Sequence, residues 1–350
     1  MEQKKALVAM SGGVDSSVAA YLAGQSGFSC IGATMQLHPD DASRQIADAR
    51  SVAQRLGIPF YDWDFRAEFS QYVMDNFVHS YENGLTPNPC VVCNRYLKFG
   101  RLMDKATELN CSYVVTGHYA RIKHEASIGR WVLQKAVDKA KDQSYFLYSL
   151  TQEQLSRVLF PLGELTKAEV REIATEQGFL TAKKKDSQDI CFVPDGDYLA
   201  FMTRYTGKTY PVGDFLDRAG NVVGKHKGAV GYTLGQRKGL GLAMGEPVYV
   251  CDKDMENNTV TVGPDEALFS TTLLANDWFW HTIPELTTPL RVFAKARSRM
   301  TEQPATVYPE EGGFARVVFD QPQRAITPGQ AVVLYDGDIV VGGGTITQVI

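Results

Sequence analysis

Residues 6–17 read ALVAMSGGVDSS, an apolar run followed by two glycines, an acid and two serines. The apolar run predicts a short buried strand, and the residues from Val14 to Leu22 are typical of the start of a helix. Glycines let backbone amides approach an anion closely, and the first turn of a helix offers unpaired N–H groups and the positive end of its dipole. The segment therefore predicts a phosphate-binding loop between a strand and a helix.

The residues of this loop indicate its class. Ser11, Ser16 and Ser17 supply hydroxyls, and Asp15 stands where a carboxylate can hold a phosphate-bound Mg²⁺. The lysine of the GxxxxGK[ST] loop of kinase-type proteins is missing. A tight strand-to-helix turn with serines capping the helix is the alternative interpretation of the same residues.

The 350-residue chain has 44% hydrophobic residues and a net charge of −4, which fits a globular protein of two or three domains. This charge does not by itself point to a nucleic-acid partner. No apolar segment reaches the length of a membrane span, and the first apolar run is too short for a signal peptide. We expect a cytoplasmic location with reduced cysteines. Two acid-free stretches can still contact a phosphate backbone, with a solvated face as the alternative for each: Lys225, Lys227, Arg237 and Lys238, and Arg291, Lys295, Arg297 and Arg299.

Strand and helix patterns alternate over the first 120 residues, which predicts a parallel sheet covered by helices with a ligand at the carboxyl ends of the strands. Asp40 or Asp41 is expected to cap the second helix, and Gly57 to end it. Beyond about residue 205, short β-rich runs alternate with Gly, Pro and Asp-Gly signals, and Asp336-Gly337 predicts a hairpin. We predict an α/β domain over residues 1–205, a small β-rich linking domain over 206–270 and an antiparallel β-barrel over 271–350.

Three of the six cysteines lie in polar, motif-like contexts. Cys90 and Cys93 form a CxxC, and Cys191 follows Asp189-Ile190; the apolar surroundings of Cys30, Cys111 and Cys251 predict core positions. A CxxC alone is compatible with half a zinc site, a redox pair or a catalytic thiol. A second CxxC is absent and no histidine has ligand spacing near the first, so a four-ligand zinc site has little support.

Several blocks occur in order and together resemble a known family. They are SGGVDSS (11–17), NPCVVCN (88–94), TGH (116–118), KDQSYFL (141–147), SQDICF (187–192), GQRKGLG (235–241) and RAITPGQ (324–330). The sequence resembles the bacterial tRNA-specific 2-thiouridylases, pyrophosphatase-loop enzymes that break ATP between its α and β phosphates. The resemblance runs nearly from end to end. It implies a HUP-like, ATP-binding catalytic domain, followed by the linking domain and a barrel that binds tRNA.

The resemblance also implies a reaction, the ATP-dependent 2-thiolation of the wobble uridine, with Lys, Glu and Gln tRNAs as expected substrates. Uracil O2 is adenylated with release of pyrophosphate, and a sulfur nucleophile then displaces AMP. By analogy, Cys191 carries a persulfide from an upstream donor, a sulfur relay protein or a cysteine desulfurase, and Cys93 resolves the remaining sulfur linkage as a Cys93–Cys191 disulfide. Both thiols are expected to have pKa values lowered by nearby amides or cations. A monomer is the family expectation.

Further residues are carried over where they match the motifs of the family, and Asp15 joins Cys93 and Cys191 as catalytic. The ATP-binding set is Ala9, Met10, Ser11, Gly12, Gly13, Val14, Asp15, Ser16, Met35 and Gly117, with Mg²⁺ accompanying the ATP. Asn88, Pro89 and Cys90 match the segment that meets the target base. The tRNA contacts are His118, Lys141, Asp142, Gln143, Arg297, Ser298 and Gln330. Without the resemblance, Lys141 and Arg297 would be solvent-facing charges and Gln330 a barrel-surface residue.

The chain departs from the family pattern at two positions. Many members have Asp at the position of Cys90, and many have an aromatic residue at the position of Ser298, which removes a stacking surface for RNA. The first departure raises the hypothesis that Cys90, Cys93 and Cys191 hold a [4Fe–4S] cluster through three thiolates, with one iron open to sulfide.

Two other functions remain open from the residues. The same ATP loop serves amide- or amidine-forming ligases, which need neither Cys93 nor Cys191 and leave the basic C-terminal stretch unused. A nucleic-acid-binding protein with a vestigial ATP pocket and a structural CxxC is the second alternative. The intact loop, with Asp15 and its serines, argues against it.

Overall fold

The structure is a computed structural model and describes residues 3–38, 42–183 and 190–350. Within these ranges the chain forms a parallel sheet, a smaller mixed sheet and a large antiparallel sheet. The predicted fold class is confirmed, because a parallel-sheet α/β domain precedes a small β-rich domain and a C-terminal antiparallel barrel.

The parallel sheet has the strand order β3-β2-β1-β4-β7. Its strands are β1 (Lys5–Ala9), β2 (Ser29–Gln36), β3 (Phe60–Asp64), β4 (Tyr113–Val115) and β7 (Val158–Leu159). Ala6, Leu7 and Val8 of the central strand are fully buried, as the apolar run predicts. The chain moves outward from β1 to β3 and then returns to the other side of β1 with β4. A crevice therefore opens between the carboxyl ends of β1 and β4, which is where open α/β sheets bind ligands.

Helices cover both faces of this sheet. They include α1 (Val14–Gln25), α2 (Ala42–Leu56), α7 (Gln152–Arg157) and α8 (Lys167–Glu176). Gly57 ends α2 with a φ of +65°, a left-handed conformation that favours glycine. The predicted caps Asp40 and Asp41 lie outside the described residues.

Two longer helices are interrupted by π-helical turns. The first consists of α3 (Arg66–Phe69), a π segment (Ser70–Met74) and α4 (Asp75–Glu82), and the second of α5 (Pro89–Cys93), a π segment (Asn94–Arg101) and α6 (Leu102–Glu108). The first π segment packs against α5. Such insertions are frequent at functional sites, and α5 carries two of the three motif cysteines.

α9 (Tyr198–Thr206) leads into the linking domain, and its Phe201 and Met202 lie in the same core cluster as Phe69 and Phe77. The linking domain contains a four-stranded sheet. Its strands are β8 (Gly213–Leu216), β9 (Val222–His226), β10 (Tyr249–Asp254) and β11 (Thr259–Gly263), in the order β10-β11-β8-β9. Phe215, Val250 and Val260 are fully buried and form the centre of its small core.

Pairing of the first and last strands closes the C-terminal barrel. Its strands are β12 (Phe269–Trp280), β13 (Leu290–Lys295), β14 (Gln303–Pro309), β15 (Ala315–Arg324), β16 (Ala331–Asp336) and β17 (Ile339–Val349). The predicted Asp336-Gly337 hairpin is confirmed, because Asp336 pairs with Ile339 across it.

A hairpin that the sequence analysis did not predict joins the first domain to the barrel. β5 (Ala120–Glu125) and β6 (Arg130–Lys135) pair with each other, and Gln134 pairs with Ile339 of β17. Arg121 and Lys139 both form ion pairs with Asp338 at the same junction. The catalytic domain thus extends the sheet of the barrel.

Candidate active site

The loop between β1 and α1 has the geometry of an anion-binding turn. Gly12 has a φ of +68°, and a Cβ there would lie 2.4 Å from the carbonyl oxygen of Gln45, so only glycine fits. Gly13 is the N-cap of α1 and has no side chain to occupy the helix N-terminus. The unpaired amides of the first turn therefore face the crevice without a capping side chain.

The serines of the loop act differently from the prediction. Ser17 is fully buried and its hydroxyl donates to the Gly13 carbonyl at 2.8 Å. The Ser16 hydroxyl donates to the same carbonyl and accepts from the Ser11 amide, both at 3.1 Å. These two hydroxyls shape the loop, and Ser11 alone of the three has an exposed side chain.

Gly117 lies across the crevice from the loop. A Cβ at Gly117 would stand 2.7 Å from the carbonyl carbon of Asp15 and 2.8 Å from the amide nitrogen of Ser16. The backbone after β4 thus touches the first turn of α1. Ala9, Met10 and Met35 lie on β1 or just after it and on β2, beside the same crevice.

Asp15 has partners that the sequence analysis missed. Its carboxylate forms an ion pair with the Lys167 ammonium, at 2.7 Å for Oδ1 and 2.8 Å for Oδ2. The Tyr119 hydroxyl donates to Oδ1 at 2.8 Å. The sequence places Asp15 where a carboxylate can hold a phosphate-bound Mg²⁺, and in this structure the carboxylate is bound by a cation and a hydroxyl.

Asn88, Pro89 and Cys90, which the resemblance assigns to the target base, form the start of α5. Asn88 is its N-cap, with Oδ1 accepting from the Val91 amide at 3.4 Å, and Pro89 occupies the first helical position, where its missing N–H costs nothing. Cys90 and Cys93 stand three positions apart on this short helix, so they share one face, with Cys90 exposed and Cys93 buried. The two cysteines of the CxxC therefore have different environments.

Cys191 reaches the same region from a distant part of the chain. Its side chain is exposed, and the next residue, Phe192, belongs to the core cluster that contains Cys93. The ring of Phe192 packs edge-on against Phe69 and Phe77 at centroid distances of 5.6 and 5.2 Å. Phe192 thus anchors Cys191 beside α5. Ser187, Gln188 and Asp189 of this motif lie outside the described residues.

The expectation that the thiol pKa values are lowered is wrong for this conformation. The pKa of Cys93 is raised to about 12, mainly by burial and to a smaller extent by the neighbouring Cys191 and Cys90. Partial desolvation also raises the pKa of Cys90 and Cys191, whose side chains still reach solvent. The Lys98 ammonium opposes the shift at all three thiols. All three are therefore protonated thiols at neutral pH.

Lys98 was not singled out from the sequence, although its spacing offered a signal. It follows Cys93 by five residues on the π segment 94–101, where residues five apart lie one turn above each other. The same cation and burial between Phe99 and Phe160 hold the pKa of His118 well below its usual range. His118 is thus a neutral imidazole, hydrogen-bonded to Thr116 at 2.8 Å.

Within residues 3–38, 42–183 and 190–350, no three or more His, Cys, Asp or Glu side chains are grouped so that they could hold a metal ion. Cys90, Cys93 and Cys191 are all described and are free thiols. They do not fit a [4Fe–4S] cluster in this arrangement. A phosphate-bound Mg²⁺ needs only one or two carboxylates and the phosphate oxygens, so Asp15 fits that ion.

Several predicted tRNA contacts have partners inside the protein. Asp142 accepts from the Ala136 amide and the Ser144 hydroxyl, at 3.0 and 2.8 Å, and Gln143 accepts from the Tyr119 amide at 2.9 Å. Arg297 donates to the Leu234 carbonyl and the Thr327 hydroxyl, which joins the linking domain to the barrel. Lys141 and Ser298 lie half-buried in turns.

Gln330 also contacts the active-site segment. Its side-chain amide donates to the carbonyl oxygens of Thr86 and Pro87, each at 3.0 Å.

The two acid-free stretches are partly paired, since Lys225 contacts Asp214 and Arg291 contacts Asp320. In the described part of the chain, no helix is both long and apolar enough to cross a membrane.

Three family models match successive parts of the chain. They are a tRNA methyl transferase HUP domain over residues 4–195, a tRNA methyl transferase PRC-barrel domain over residues 200–264 and an aminomethyltransferase β-barrel domain over residues 270–346. The first alone covers more than half of the chain, and the three ranges follow the three parts of the fold.

Similar proteins extend over the whole chain. The tRNA-specific 2-thiouridylase MnmA of Symbiobacterium thermophilum is 50% identical over 99% of this chain and 93% of its own length. Proteins of the same name from Acetivibrio thermocellus and Clostridioides difficile are 49% and 48% identical, over 99% of this chain and 100% and 98% of their own lengths. With this identity along its full length, and a glycine loop and three thiols in the places described, the chain belongs to the tRNA-specific 2-thiouridylase family of sulfurtransferases.

Proposed function

We propose that this chain catalyses the ATP-dependent 2-thiolation of the wobble uridine of tRNA. The proposal rests on two features of one domain, a glycine loop after β1 at the carboxyl edge of the sheet and the thiols of Cys93 on α5 and Cys191 next to it. Full-length identity of about half to relatives named tRNA-specific 2-thiouridylase supports it. We expect Lys, Glu and Gln tRNAs as substrates.

ATP binds in the crevice between the glycine loop and Gly117. The amides of the first turn of α1 suit the phosphates, because they are unpaired and carry the positive end of the helix dipole. Gly117 lets the backbone after β4 pack directly against the first turn of α1, since any side chain there would collide with the backbone of Asp15, and we expect the nucleoside to lie beside this contact. Asp15 would hold the Mg²⁺ that accompanies ATP, which neutralises phosphate charge when bound.

The chemistry begins with adenylation of the base and transfer of sulfur to it. Uracil O2 attacks the α-phosphate, the α–β bond breaks, and pyrophosphate leaves with the electron pair. The terminal sulfur of a Cys191 persulfide then attacks C2, and AMP leaves with the C–O electron pair. The intermediate has C2 joined through a disulfide to Cys191.

Cys93 completes the reaction. Its thiolate attacks the Sγ of Cys191, the S–S bond to the base breaks, and the electron pair stays on the sulfur at C2 as 2-thiouridine. A Cys93–Cys191 disulfide remains, and a two-electron thiol reductant reopens it. A persulfide carrier, either a relay protein or a cysteine desulfurase, reloads Cys191. The reduced thiols that this cycle needs are those of the cytoplasm.

The raised pKa values of the thiols suit a site that acts only when it is filled. Protonated thiols are poor nucleophiles, so Cys93 stays unreactive toward other electrophiles until tRNA and ATP alter its surroundings. Lys98 supplies the positive charge that favours a thiolate there. The flipped wobble base would enter beside Asn88, Pro89 and Cys90.

A reconstituted thiolation assay tests this function. The purified protein is incubated with ATP, Mg²⁺, a persulfide donor and unmodified tRNA, and the digested nucleosides are weighed by mass spectrometry. We expect 2-thiouridine that requires ATP and is lost in Cys93→Ser and Cys191→Ser. Cys251→Ser is the matched control, because Cys251 lies on β10 of the linking domain, and it is expected to retain activity.

The same assay separates the ligase alternative. ATP cleavage that is indifferent to tRNA and unchanged in Cys93→Ser and Cys191→Ser would refute thiolation and favour an amide- or amidine-forming ligase. A 2-thiouridine yield that both variants retain would keep the reaction but remove the roles of the two thiols.

A further inference from the structure

The glycine loop lacks its own cation, and the fold brings one to it from far along the chain. Kinase-type phosphate loops carry a lysine within the loop that contacts the terminal phosphates, whereas residues 11–17 contain none. The Lys167 ammonium lies at the start of α1 instead, 2.7 and 2.8 Å from the two carboxylate oxygens of Asp15. Its position supplies the charge that the loop sequence omits.

Three neighbouring strands deliver the residues of this cluster. Asp15 follows β1, Tyr119 follows β4 and Lys167 follows β7, and these strands are adjacent in the sheet. All three residues therefore lie at its carboxyl edge. This is the edge at which Gly117 touches the first turn of α1, so the ammonium stands beside the phosphate end of the crevice.

Hydrogen bonds fix the backbone of Lys167, and its ammonium contacts both Asp15 and the Tyr119 ring. Thr166 caps α8 in a reciprocal capping box with Glu169, and the Lys167 amide donates to Asp138 Oδ2 at 3.0 Å. The ammonium also lies 5.7 Å from the centroid of the Tyr119 ring. A rigid helix start thus aims a flexible four-carbon stem at Asp15.

The Lys167–Asp15 ion pair contributes little to the stability of the fold. The Lys167 side chain is only 12% exposed, whereas that of Asp15 is 32% exposed. Removing an ammonium from water is costly, and pairing it with a partly solvated carboxylate returns little. A buried cation next to an anion-binding helix start is better explained by an anionic ligand that completes the site.

We propose that Lys167 binds the β- or γ-phosphate of ATP and neutralises the charge of the departing pyrophosphate. Asp15 and Tyr119 hold the ammonium in place until the nucleotide arrives. When the α–β bond breaks, the bridging oxygen leaves with the electron pair, and Lys167 stabilises it without giving up a proton. The proposal rests on the ATP use stated under the proposed function, and it assigns the phosphate end of that site.

Calorimetric titration with two nucleotides tests the assignment. ATP and AMP are titrated separately into wild type, Lys167→Met, Lys167→Arg and the control Lys139→Met, whose native lysine pairs with Asp338 away from the loop. We expect Lys167→Met to weaken ATP binding about ten- to a hundredfold, as the loss of a charge-assisted hydrogen bond does. AMP has no β- or γ-phosphate, so its affinity should stay within about threefold. Lys167→Arg should recover part of the ATP affinity because it keeps the charge.

The nucleotide pair separates binding from structural support. Equal weakening of ATP and AMP in Lys167→Met would overturn the proposal, because a lysine that only supports the loop affects both nucleotides. Unchanged ATP affinity in that variant, with 2-thiouridine still formed by wild type, would refute the phosphate-binding role of Lys167 and leave the proposed function intact. A wild type that binds neither nucleotide would refute the ATP-dependent function together with the proposal.

Discussion

Gln330 in the C-terminal barrel donates a hydrogen bond of 3.0 Å to the carbonyl oxygen of Pro87, next to the N-cap of the helix that carries Cys93. The same amide bonds the Thr86 carbonyl, and the Thr86 amide donates to the Pro328 carbonyl at 2.9 Å. The turn 328–330 thus holds the backbone that leads into Asn88. The barrel fixes the position of the thiol helix.

This contact predicts a positioning role for a residue outside the catalytic domain. Gln330→Ala leaves two carbonyls without their partner and loosens the start of α5, so kcat for thiolation should fall about tenfold, as for the loss of about 1.4 kcal/mol of positioning. KM for ATP should stay unchanged, because the glycine loop lies on another segment. Gln348→Ala, at an exposed position on β17, is the control. An unchanged kcat in Gln330→Ala would show that the barrel does not position the thiols.

Gly117→Ala is expected to close the nucleotide crevice. Its Cβ would stand 2.7 Å from the carbonyl carbon of Asp15, a backbone atom that cannot swing away. We expect a loss of about 1–3 kcal/mol in the free energy of unfolding, the usual cost of overpacking, and a loss of ATP affinity. Denaturant melts and ATP titration measure both.

The matched control for Gly117→Ala is Gly24→Ala. Gly24 lies within α1 and a Cβ there meets nothing within 4 Å, so this variant should be stabilised by about 0.5–1 kcal/mol. Full ATP affinity and stability in Gly117→Ala would mean that the backbone after β4 does not pack against the glycine loop.

The environment of Cys93 predicts a pH profile for its reactivity. Burial raises the pKa of Cys93 to about 12 in the folded protein, so the thiolate fraction is small at pH 7 and grows at each step toward alkaline pH. Alkylation of Cys93 by iodoacetamide, followed by peptide mass spectrometry, should therefore accelerate from pH 7 to pH 10 without a plateau. A plateau below pH 9 would contradict the raised pKa.

Lys98 is expected to govern the same profile. Because its ammonium lowers the thiol pKa values, Lys98→Met should slow alkylation of Cys93 about tenfold at a fixed pH, the equivalent of one pKa unit. Lys105→Met is the control, since Lys105 lies on α6 and pairs with Glu108. Equal alkylation rates in wild type and Lys98→Met would show that Lys98 does not control the reactivity of Cys93.

Local patterns in the sequence were enough to predict the glycine loop and the parallel sheet. An apolar run, two glycines and a helix start are contiguous, so their geometry follows from neighbouring residues alone. The pairing of Asp336 with Ile339 is equally local, because a two-residue turn sets it.

Contacts between residues far apart in the chain could not be predicted from such local patterns. Thr166 and Glu169 mark a helix start, but nothing in the sequence indicates that Lys167 faces Asp15, which lies 152 positions earlier. The partners of Gln330 and Arg297 in other domains depend on how the domains dock. The raised thiol pKa values follow from burial around α5, which spacing does not reveal.

The origin of the transferred sulfur is the most direct test of the account. Cys191 is loaded with a persulfide whose terminal sulfur is a heavy isotope, the free donor is removed, and ATP, Mg²⁺ and unmodified tRNA are added for a single turnover. We expect heavy 2-thiouridine in the digested tRNA and a Cys93–Cys191 disulfide in the protein. Heavy sulfur that stays on Cys191 while ATP is cleaved, or 2-thiouridine that carries only light sulfur, would contradict it.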